Sequence, residues 1–202
     1  MKKALSVLLL LAAFLPCLAQ EPAGTDFTAP TETNNNKVRS DGIDNVLEYT
    51  PFAALFALKA IGVESKSEWG RLAVNAATSF VITAGACYAM KHTIHTMRPD
   101  RSDNHSFPSG HSAIAFAGAT LLAKEYGHVS PWIAVGGYAV ATVTAVDRVH
   151  RDRHHWGDVV AGAALGVAAA EAGYYLGRLI LPDRESYSLS VSPMGMSLVV
   201  KL

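Results

Sequence analysis

The chain has 202 residues, half of them hydrophobic, and its 17 basic and 17 acidic side chains give a formal net charge of zero at pH 7. This length fits a single domain, and the balanced charge gives no electrostatic reason to expect a nucleic acid as partner. Charged residues make up 17% of the chain, below the proportion of about a quarter in average soluble domains. The composition therefore favours contact with a membrane.

Residues 1–19 have the layout of a secretory signal peptide. Lys2 and Lys3 precede an apolar stretch over 4–15, and a run of small residues ends at Ala19. The apolar stretch is short for a bilayer span and suits a signal sequence. We therefore predict export with cleavage after Ala19, and an uncleaved membrane anchor is the alternative.

The rest of the chain divides into three parts. Residues 20–45 are polar and lack apolar periodicity, which predicts a flexible lead-in. Residues 46–183 contain five apolar segments, which predict an all-α bundle of about five to six helices. Residues 184–202 alternate polar and apolar side chains, which predicts a short β-hairpin. The five apolar segments are residues 51–63, 71–94, 112–126, 131–146 and 159–181.

Small residues recur at close spacing in the last apolar segment, at Gly162, Gly166, Ala170 and Gly173. Such residues let helix backbones approach closely, as they do in membrane bundles. We therefore predict a bundle embedded in a membrane. A compact soluble helical domain is the alternative, because the first and third segments are short for a full span.

Basic and histidine residues otherwise avoid these segments, but three clusters of them stand at segment ends. If successive helices alternate in direction, the three clusters meet at one end of the bundle. The topology therefore predicts a shared site. The clusters are Lys91-x6-Arg98-Pro99, Pro108-Ser109-Gly110-His111 and Arg148-x5-His154-x3-Asp158.

The clusters contain groups suited to binding phosphate. Lys91, Arg98 and Arg148 can hold a dianion, because guanidinium groups grip phosphate oxygens in pairs. Ser109 and Gly110 lead into a helix, where free backbone N–H groups and the helix dipole favour an anion. Together these residues predict a clamp for a phosphoryl group.

Two histidines and a carboxylate add the reacting groups. His154 and Asp158 are four residues apart, so the carboxylate can contact the imidazole and orient it for attack. His111 is then available to protonate the leaving oxygen. The set contains a nucleophile, an orienting group, an acid and an anion clamp, and it needs no metal or cofactor.

The three clusters resemble the signature of the type-2 phosphatidic acid phosphatase (PAP2) superfamily over residues 91–158. That family also includes bacterial acid phosphatases and vanadium haloperoxidases. The resemblance implies an all-helical core and a phosphohistidine mechanism. His154 would attack phosphorus, Asp158 would orient it, and His111 would protonate the departing alcohol and then activate water. The residues that would cradle the phosphate oxygens are Lys91, Arg98, Ser109, Gly110 and Arg148.

Two features depart from the family pattern. Asp147 stands where the family usually has serine, and an acid beside Arg148 would partly neutralise the anion clamp. The gap from Pro99 to Pro108 is shorter than is typical, which predicts a tight loop at the site. Neither departure removes a catalytic group.

Neighbouring histidines offer competing interpretations. His155 adjoins His154, but the spacing from Arg148 and to Asp158 selects His154 as the nucleophile. His150 and His154 are four residues apart, as zinc ligands can be, but no further ligand follows in register. We therefore predict no metal site.

The sequence predicts a metal-independent phosphatase that hydrolyses a lipid-linked phosphate monoester or pyrophosphate. We expect it in the bacterial inner membrane with its site facing the periplasm, and we expect no nucleic-acid partner. Lipid A, phosphatidate, phosphatidylglycerophosphate and undecaprenyl pyrophosphate are all compatible substrates, and the resemblance leans toward lipid A. The alternatives are a soluble periplasmic acid phosphatase of broad specificity, a vanadate-dependent haloperoxidase and a non-catalytic lipid-binding helical protein. The sequence does not select the lipid or the oligomeric state.

Overall fold

The computed structural model describes residues 42–181, 186–192 and 195–201. In that part of the chain the predicted all-α class with a short C-terminal hairpin is confirmed. The predicted signal peptide and most of the predicted lead-in lie outside the described residues. The elements are α1 (Gly42–Ala60), α2 (Trp69–Thr93), α3 (Gly110–Tyr126), α4 (Pro131–His150), α5 (Trp156–Ile180), β1 (Ser186–Ser192) and β2 (Gly195–Lys201).

Helix α1 begins earlier than the apolar segment that predicted it. Pro51 lies inside the helix and not in its first turn, so one helical hydrogen bond is lost there. Packing compensates for this loss, because Pro51 is fully buried and a Cβ added at Gly118 of α3 would lie 3.0 Å from the Pro51 side chain. The additional N-terminal turns bring Glu48 into the bundle.

Helix α3 is the centre of the bundle and packs against the other four helices. Its residues Ala113, Ala115, Ala117 and Ala119 are fully buried. Alanine suits this position because it favours the helix and its small side chain lets neighbouring helices approach on every side.

Glycines let α5 lie directly against α3. A Cβ at Gly162 would come within 2.4 Å of the Ser109 carbonyl oxygen, and one at Gly166 within 2.1 Å of the Ala113 carbonyl oxygen. Neither position has room for a larger residue. This backbone contact fixes the start of α3, which carries the predicted acid His111, against the start of α5.

The helix ends form two groups, which we call the site end and the far end. At the site end, Ser109 N at the start of α3 donates to the Asp158 carbonyl oxygen at the start of α5 over 3.0 Å. At the far end, Lys66 N just before α2 donates to the Glu125 carbonyl oxygen at the end of α3, also over 3.0 Å. The helices therefore alternate in direction as expected.

The outer surface of the bundle is rich in apolar side chains. Helices α2 and α5 are long and apolar enough to cross a bilayer, each with a mean hydropathy of 1.4 over its most apolar window. Large apolar side chains also point outward from α4. Examples from the three helices are Val81, Tyr88, Val135, Val143, Val160 and Leu179.

Candidate active site

Residues from all three sequence clusters meet at the site end. The Lys91 ammonium at the end of α2 donates to the His105 carbonyl oxygen over 2.7 Å, which joins α2 to the following loop. His154, between α4 and α5, is buried in the same place. The structure therefore brings residues from separate helices around one imidazole. The charged groups that act on His154 are Lys91, Arg98, Arg148 and His111.

The Ser106 hydroxyl stands between His154 and Asp158. The distance from His154 Nδ1 to Asp158 Oδ2 is 3.8 Å, too long for a direct hydrogen bond. Ser106 Oγ lies 2.5 Å from Asp158 Oδ2, to which it donates, and 3.4 Å from His154 Nδ1. This geometry suits the tautomer in which Nδ1–H points to Ser106 and the Nε2 lone pair is free.

Asp158 also caps helix α5, which explains why it stands back from His154. Its Oδ2 accepts the backbone N–H of His155 over 2.9 Å as part of a capping box. A carboxylate in this position is favoured by the helix dipole. The direct contact with His154 that the four-residue spacing suggested is thus replaced by a contact through Ser106.

Sequence reasoning did not identify Ser106. It lies two residues before Pro108 and is fully buried. Ser102, in the same loop, is exposed and donates to the Asp100 carboxylate over 2.7 Å. No spacing in the sequence separates the two serines, and only the path of the loop in three dimensions does so.

The environment of His154 keeps its imidazole neutral. Burial is the largest cause, and the positive charges of Lys91, Arg98, Arg148 and His111 add to it. Together they lower the pKa of His154 from 6.5 to about 2. A neutral imidazole keeps the lone pair that a nucleophile needs.

Three cations from different elements surround this histidine. Arg98, in the loop after α2, donates from Nε to Asp103 Oδ1 over 2.9 Å, which fixes the guanidinium. Lys91 is held by the His105 carbonyl oxygen, and Arg148 is buried in the last turn of α4. Charges anchored in this way can stabilise a phosphoryl group without reorganising.

Asp147 is engaged by a residue other than the clamp arginine. Its Oδ2 lies 2.9 Å from Arg151 Nε, one turn further along α4. Asp147, which stands where the family usually has serine, therefore pairs with Arg151. The expected partial neutralisation of Arg148 is therefore reduced.

The start of α3 supplies polar groups beside the cations. Ser109 is fully buried and caps the helix, accepting from Ser112 N over 3.4 Å and from Ser112 Oγ over 3.0 Å. Because the Ser109 oxygen accepts both of these bonds, the Ser109 hydroxyl proton points away from Ser112. Gly110 and His111 form the first turn, where backbone N–H groups have no acceptor within the helix.

Helix α1 contributes a carboxylate that sequence reasoning also missed. Glu48 is 6% exposed, and its Oε2 lies 3.7 Å from His111 Nε2. This places a buried carboxylate beside the imidazole of the predicted acid. Glu48 was not identifiable from the sequence because it stands more than sixty residues before His111 and belongs to no cluster.

The competing histidines lie outside this arrangement. His155 is exposed, and its Nε2 lies 3.2 Å from the Met97 carbonyl oxygen while its backbone begins α5. His150 is exposed at the end of α4. Within residues 46–181, whose side chains the structure describes, no three His, Cys, Asp or Glu side chains form a group that could hold a metal ion.

Comparison with known proteins assigns the family. The sequence profile of the PAP2 superfamily matches residues 72–179, more than half of the chain. The chain belongs to the PAP2 superfamily. The matched range contains all eight predicted site residues of this PAP2 protein but leaves out Glu48.

Two curated PAP2 relatives are named for lipid substrates. A lipid A 1-phosphatase from Porphyromonas gingivalis is 38% identical over 151 residues, covering 74% of this chain and 34% of that protein. Probable lipid phosphate phosphatase 4 from Arabidopsis thaliana is 36% identical over 80 residues, covering 34% of this chain and 26% of that protein. The matched segment thus spans about a third or less of each relative.

A solved structure shares the fold. The crystal structure of Aquifex aeolicus LpxE matches with a TM-score of 0.53 and 19% identity, covering 68% of this chain and 88% of that one. At this identity the likeness concerns the arrangement of helices.

Proposed function

We propose that this PAP2 protein is a metal-independent phosphatase that hydrolyses a lipid-linked phosphate monoester or pyrophosphate. The observation that carries the proposal is a buried, neutral His154 facing three anchored cations. A neutral imidazole is the nucleophilic form, and the cations offset charge on the phosphoryl oxygens.

The first step forms a phosphohistidine. His154 Nε2 attacks phosphorus while the bond from phosphorus to the leaving oxygen breaks, and the bonding electrons go to that oxygen. His111 donates its proton to the leaving oxygen, so an alcohol departs. The phosphorylated imidazole of His154 then carries a positive charge. Its Nδ1–H faces the Ser106 hydroxyl, which is bonded to the Asp158 carboxylate.

The second step releases phosphate and restores the enzyme. His111, now neutral, takes a proton from water as the water oxygen attacks phosphorus. The bond between phosphorus and His154 breaks, and its electrons return to Nε2. The protonated His111 then begins the next cycle, with the Glu48 carboxylate beside its imidazole.

The proposed substrate is the phosphate of lipid A. The apolar outer surface of the bundle supports a lipid over a soluble phosphate ester. The relative that matches 74% of this chain is named for lipid A. A phosphate clamp at the bundle end, beside apolar helix faces, suits a ligand with a charged head and hydrocarbon chains.

The proposed location is the inner membrane, with the site facing the periplasm. Exposed tryptophans stand at both ends of the bundle, where a membrane protein meets the lipid headgroups. Trp69 and Trp132 lie in the first turns of helices at the far end, and Trp156 begins α5 at the site end. Retention of the full-length protein in membranes after carbonate washing is the expected result, and its release would contradict embedding.

The activity is tested on purified protein with lipid A in detergent. Phosphate release should continue in excess EDTA, and His154→Ala should abolish it together with any trapped phosphoenzyme. The exposed His150→Ala is the matched control and should retain activity. Loss of activity in EDTA with rescue by zinc would overturn the mechanism, and vanadate-dependent halide oxidation would indicate a haloperoxidase.

The substrate is tested in cells. Lipid A and phospholipids of a deletion strain are compared with those of the parent by mass spectrometry. Lipid A species with one additional phosphate should accumulate in the deletion strain. Unchanged lipid A with accumulation of another phosphorylated lipid would replace the proposed substrate.

A further inference from the structure

A polar cavity of about 160 Å³ opens at the far end of the bundle. It lies between the start of α2 and the end of α5. The helical rise from Asn75 to Lys91 along α2 is about 24 Å, so the cavity is separate from the catalytic cluster. Its lining residues are Lys66, Ser67, Arg71, Asn75, Tyr174 and Arg178.

The buried wall of the cavity contains an unpartnered amide. Asn75 is 1% exposed, and neither its Nδ2 nor its Oδ1 has a hydrogen-bond partner among the residues that the structure describes. Gly177 leaves the space that this side chain fills, since a Cβ there would lie 2.0 Å from Asn75 Oδ1. Buried polar groups normally find partners, so the amide indicates a ligand.

The charges around the amide are positive. Lys66 and Arg178 make no hydrogen bond or ion pair through their side chains to other described residues, and Arg71 adds a third cation. The Glu125 carboxylate beside the cavity residues Ser67 and Tyr174 is buried and accepts from neutral groups, namely the Tyr174 hydroxyl and Ser67 N. It therefore leaves Lys66 and Arg178 available to a ligand.

We propose that this cavity binds a phosphate group. Lys66, Arg71 and Arg178 would hold its oxygens, as cations do at phosphate sites. Asn75 Nδ2 would donate to a phosphate oxygen, and Oδ1 would accept from a hydroxyl on the phosphate or on its substituent. The phosphate belongs either to a lipid headgroup at the far membrane face or to free inorganic phosphate.

Calorimetric titration of the full-length protein in neutral detergent with inorganic phosphate tests the site. Arg178→Gln should bind one phosphate fewer per chain than the wild type, with kcat and KM for a soluble aryl phosphate unchanged. Lys124→Gln is the matched control, because it removes another cation at the far end that pairs with Glu171 outside the cavity. Equal stoichiometry and affinity in the wild type and Arg178→Gln would count against the site for inorganic phosphate.

Nanodiscs in phosphate-free buffer distinguish the two sources. If a lipid headgroup is the ligand, phosphatidylglycerol should raise the Tm of the wild type above its value in phosphatidylcholine by several degrees. Arg178→Gln should remove that rise, and Lys124→Gln should keep it. If Arg178→Gln lowers the binding of inorganic phosphate but phosphatidylglycerol does not raise the Tm of the wild type, the ligand is the free ion. No response with either probe overturns the proposal, whatever the outcome of the phosphatase assay.

Discussion

The buried hydroxyl of Ser106 contacts both His154 and Asp158. The hydroxyl donates to the Asp158 carboxylate and faces His154 Nδ1, so the carboxylate orients the imidazole through Ser106. A hydrogen bond to a charged group is worth about 1.5–3 kcal/mol, and this corresponds to about 10- to 100-fold in rate.

Ser106→Ala should therefore lower kcat by about 10- to 100-fold and change KM little, because Ser106 does not belong to the phosphate clamp. Steady-state kinetics on lipid A and on an aryl phosphate provide the measurement. Ser102→Ala, in the exposed part of the same loop, is the control and should behave as the wild type. Equal kcat values for the two variants would remove Ser106 from the mechanism.

Glu48 should support His111 in its role as the acid, because its carboxylate lies beside the imidazole. Glu48→Gln should therefore lower kcat for an alkyl phosphate, whose leaving oxygen must be protonated, and change kcat much less for an activated aryl phosphate. Steady-state kinetics on both esters provide the measurement. Glu171→Gln, an exposed acid at the far end, should keep both kcat values, and an equal response of the two esters in Glu48→Gln would separate Glu48 from the acid step.

At the scale of single elements, the contact between α3 and α5 depends on glycine. Gly166→Ala places a Cβ 2.1 Å from the Ala113 carbonyl oxygen, and overpacking of this kind costs about 1–3 kcal/mol. Gly136→Ala in α4 is the matched control, because a Cβ there meets nothing within 4 Å. It should stabilise the helix by up to about 1 kcal/mol. Thermal unfolding in detergent measures both, and an equal Tm for the two variants would contradict the close contact.

The sequence predicted the helices because apolar runs reveal buried faces, but it placed the start of α1 too late. Residues 42–50 are mostly polar, so no apolar run marks them as helical. Tertiary packing holds them in the helix, as the burial of Glu48 and Pro51 shows. The pattern of apolar residues therefore did not predict the first turns of α1, because these turns depend on contacts with other parts of the chain.

At the scale of the whole molecule, the meeting of the three clusters followed from alternating helix directions. Ser106, Glu48 and the far-end cavity could not be predicted in the same way. Each depends on which face of a loop or helix turns inward, and sequence spacing does not contain that information. The short gap from Pro99 to Pro108 predicted a tight loop but not which of its serines is buried.

Acid should destabilise the protein through His154. Above pH 6.5 its imidazole is neutral in both folded and unfolded states, so it adds no pH dependence. Below that pH the unfolded chain binds a proton that the folded protein excludes until its pKa of about 2. The free energy of unfolding should then fall by up to about 1.4 kcal/mol per pH unit.

Chemical denaturation in detergent between pH 7 and pH 4 measures this slope. His154→Gln should flatten it, because the variant has no group to protonate at that position. His150→Gln, which changes an exposed histidine, should keep the slope of the wild type. Parallel curves for the wild type and His154→Gln would show that another group controls acid stability.

The phosphate clamp at the end of the bundle, next to apolar outer faces, has a consequence for how a lipid reaches it. Moving a hydrocarbon chain into water costs about 0.8 kcal/mol for each CH₂ group, so drawing a whole multi-chain lipid out of its leaflet would be prohibitive. With this layout the headgroup alone enters the protein while the acyl chains stay in the hydrocarbon beside it. We therefore expect turnover to depend weakly on chain length once the lipid is held in a bilayer.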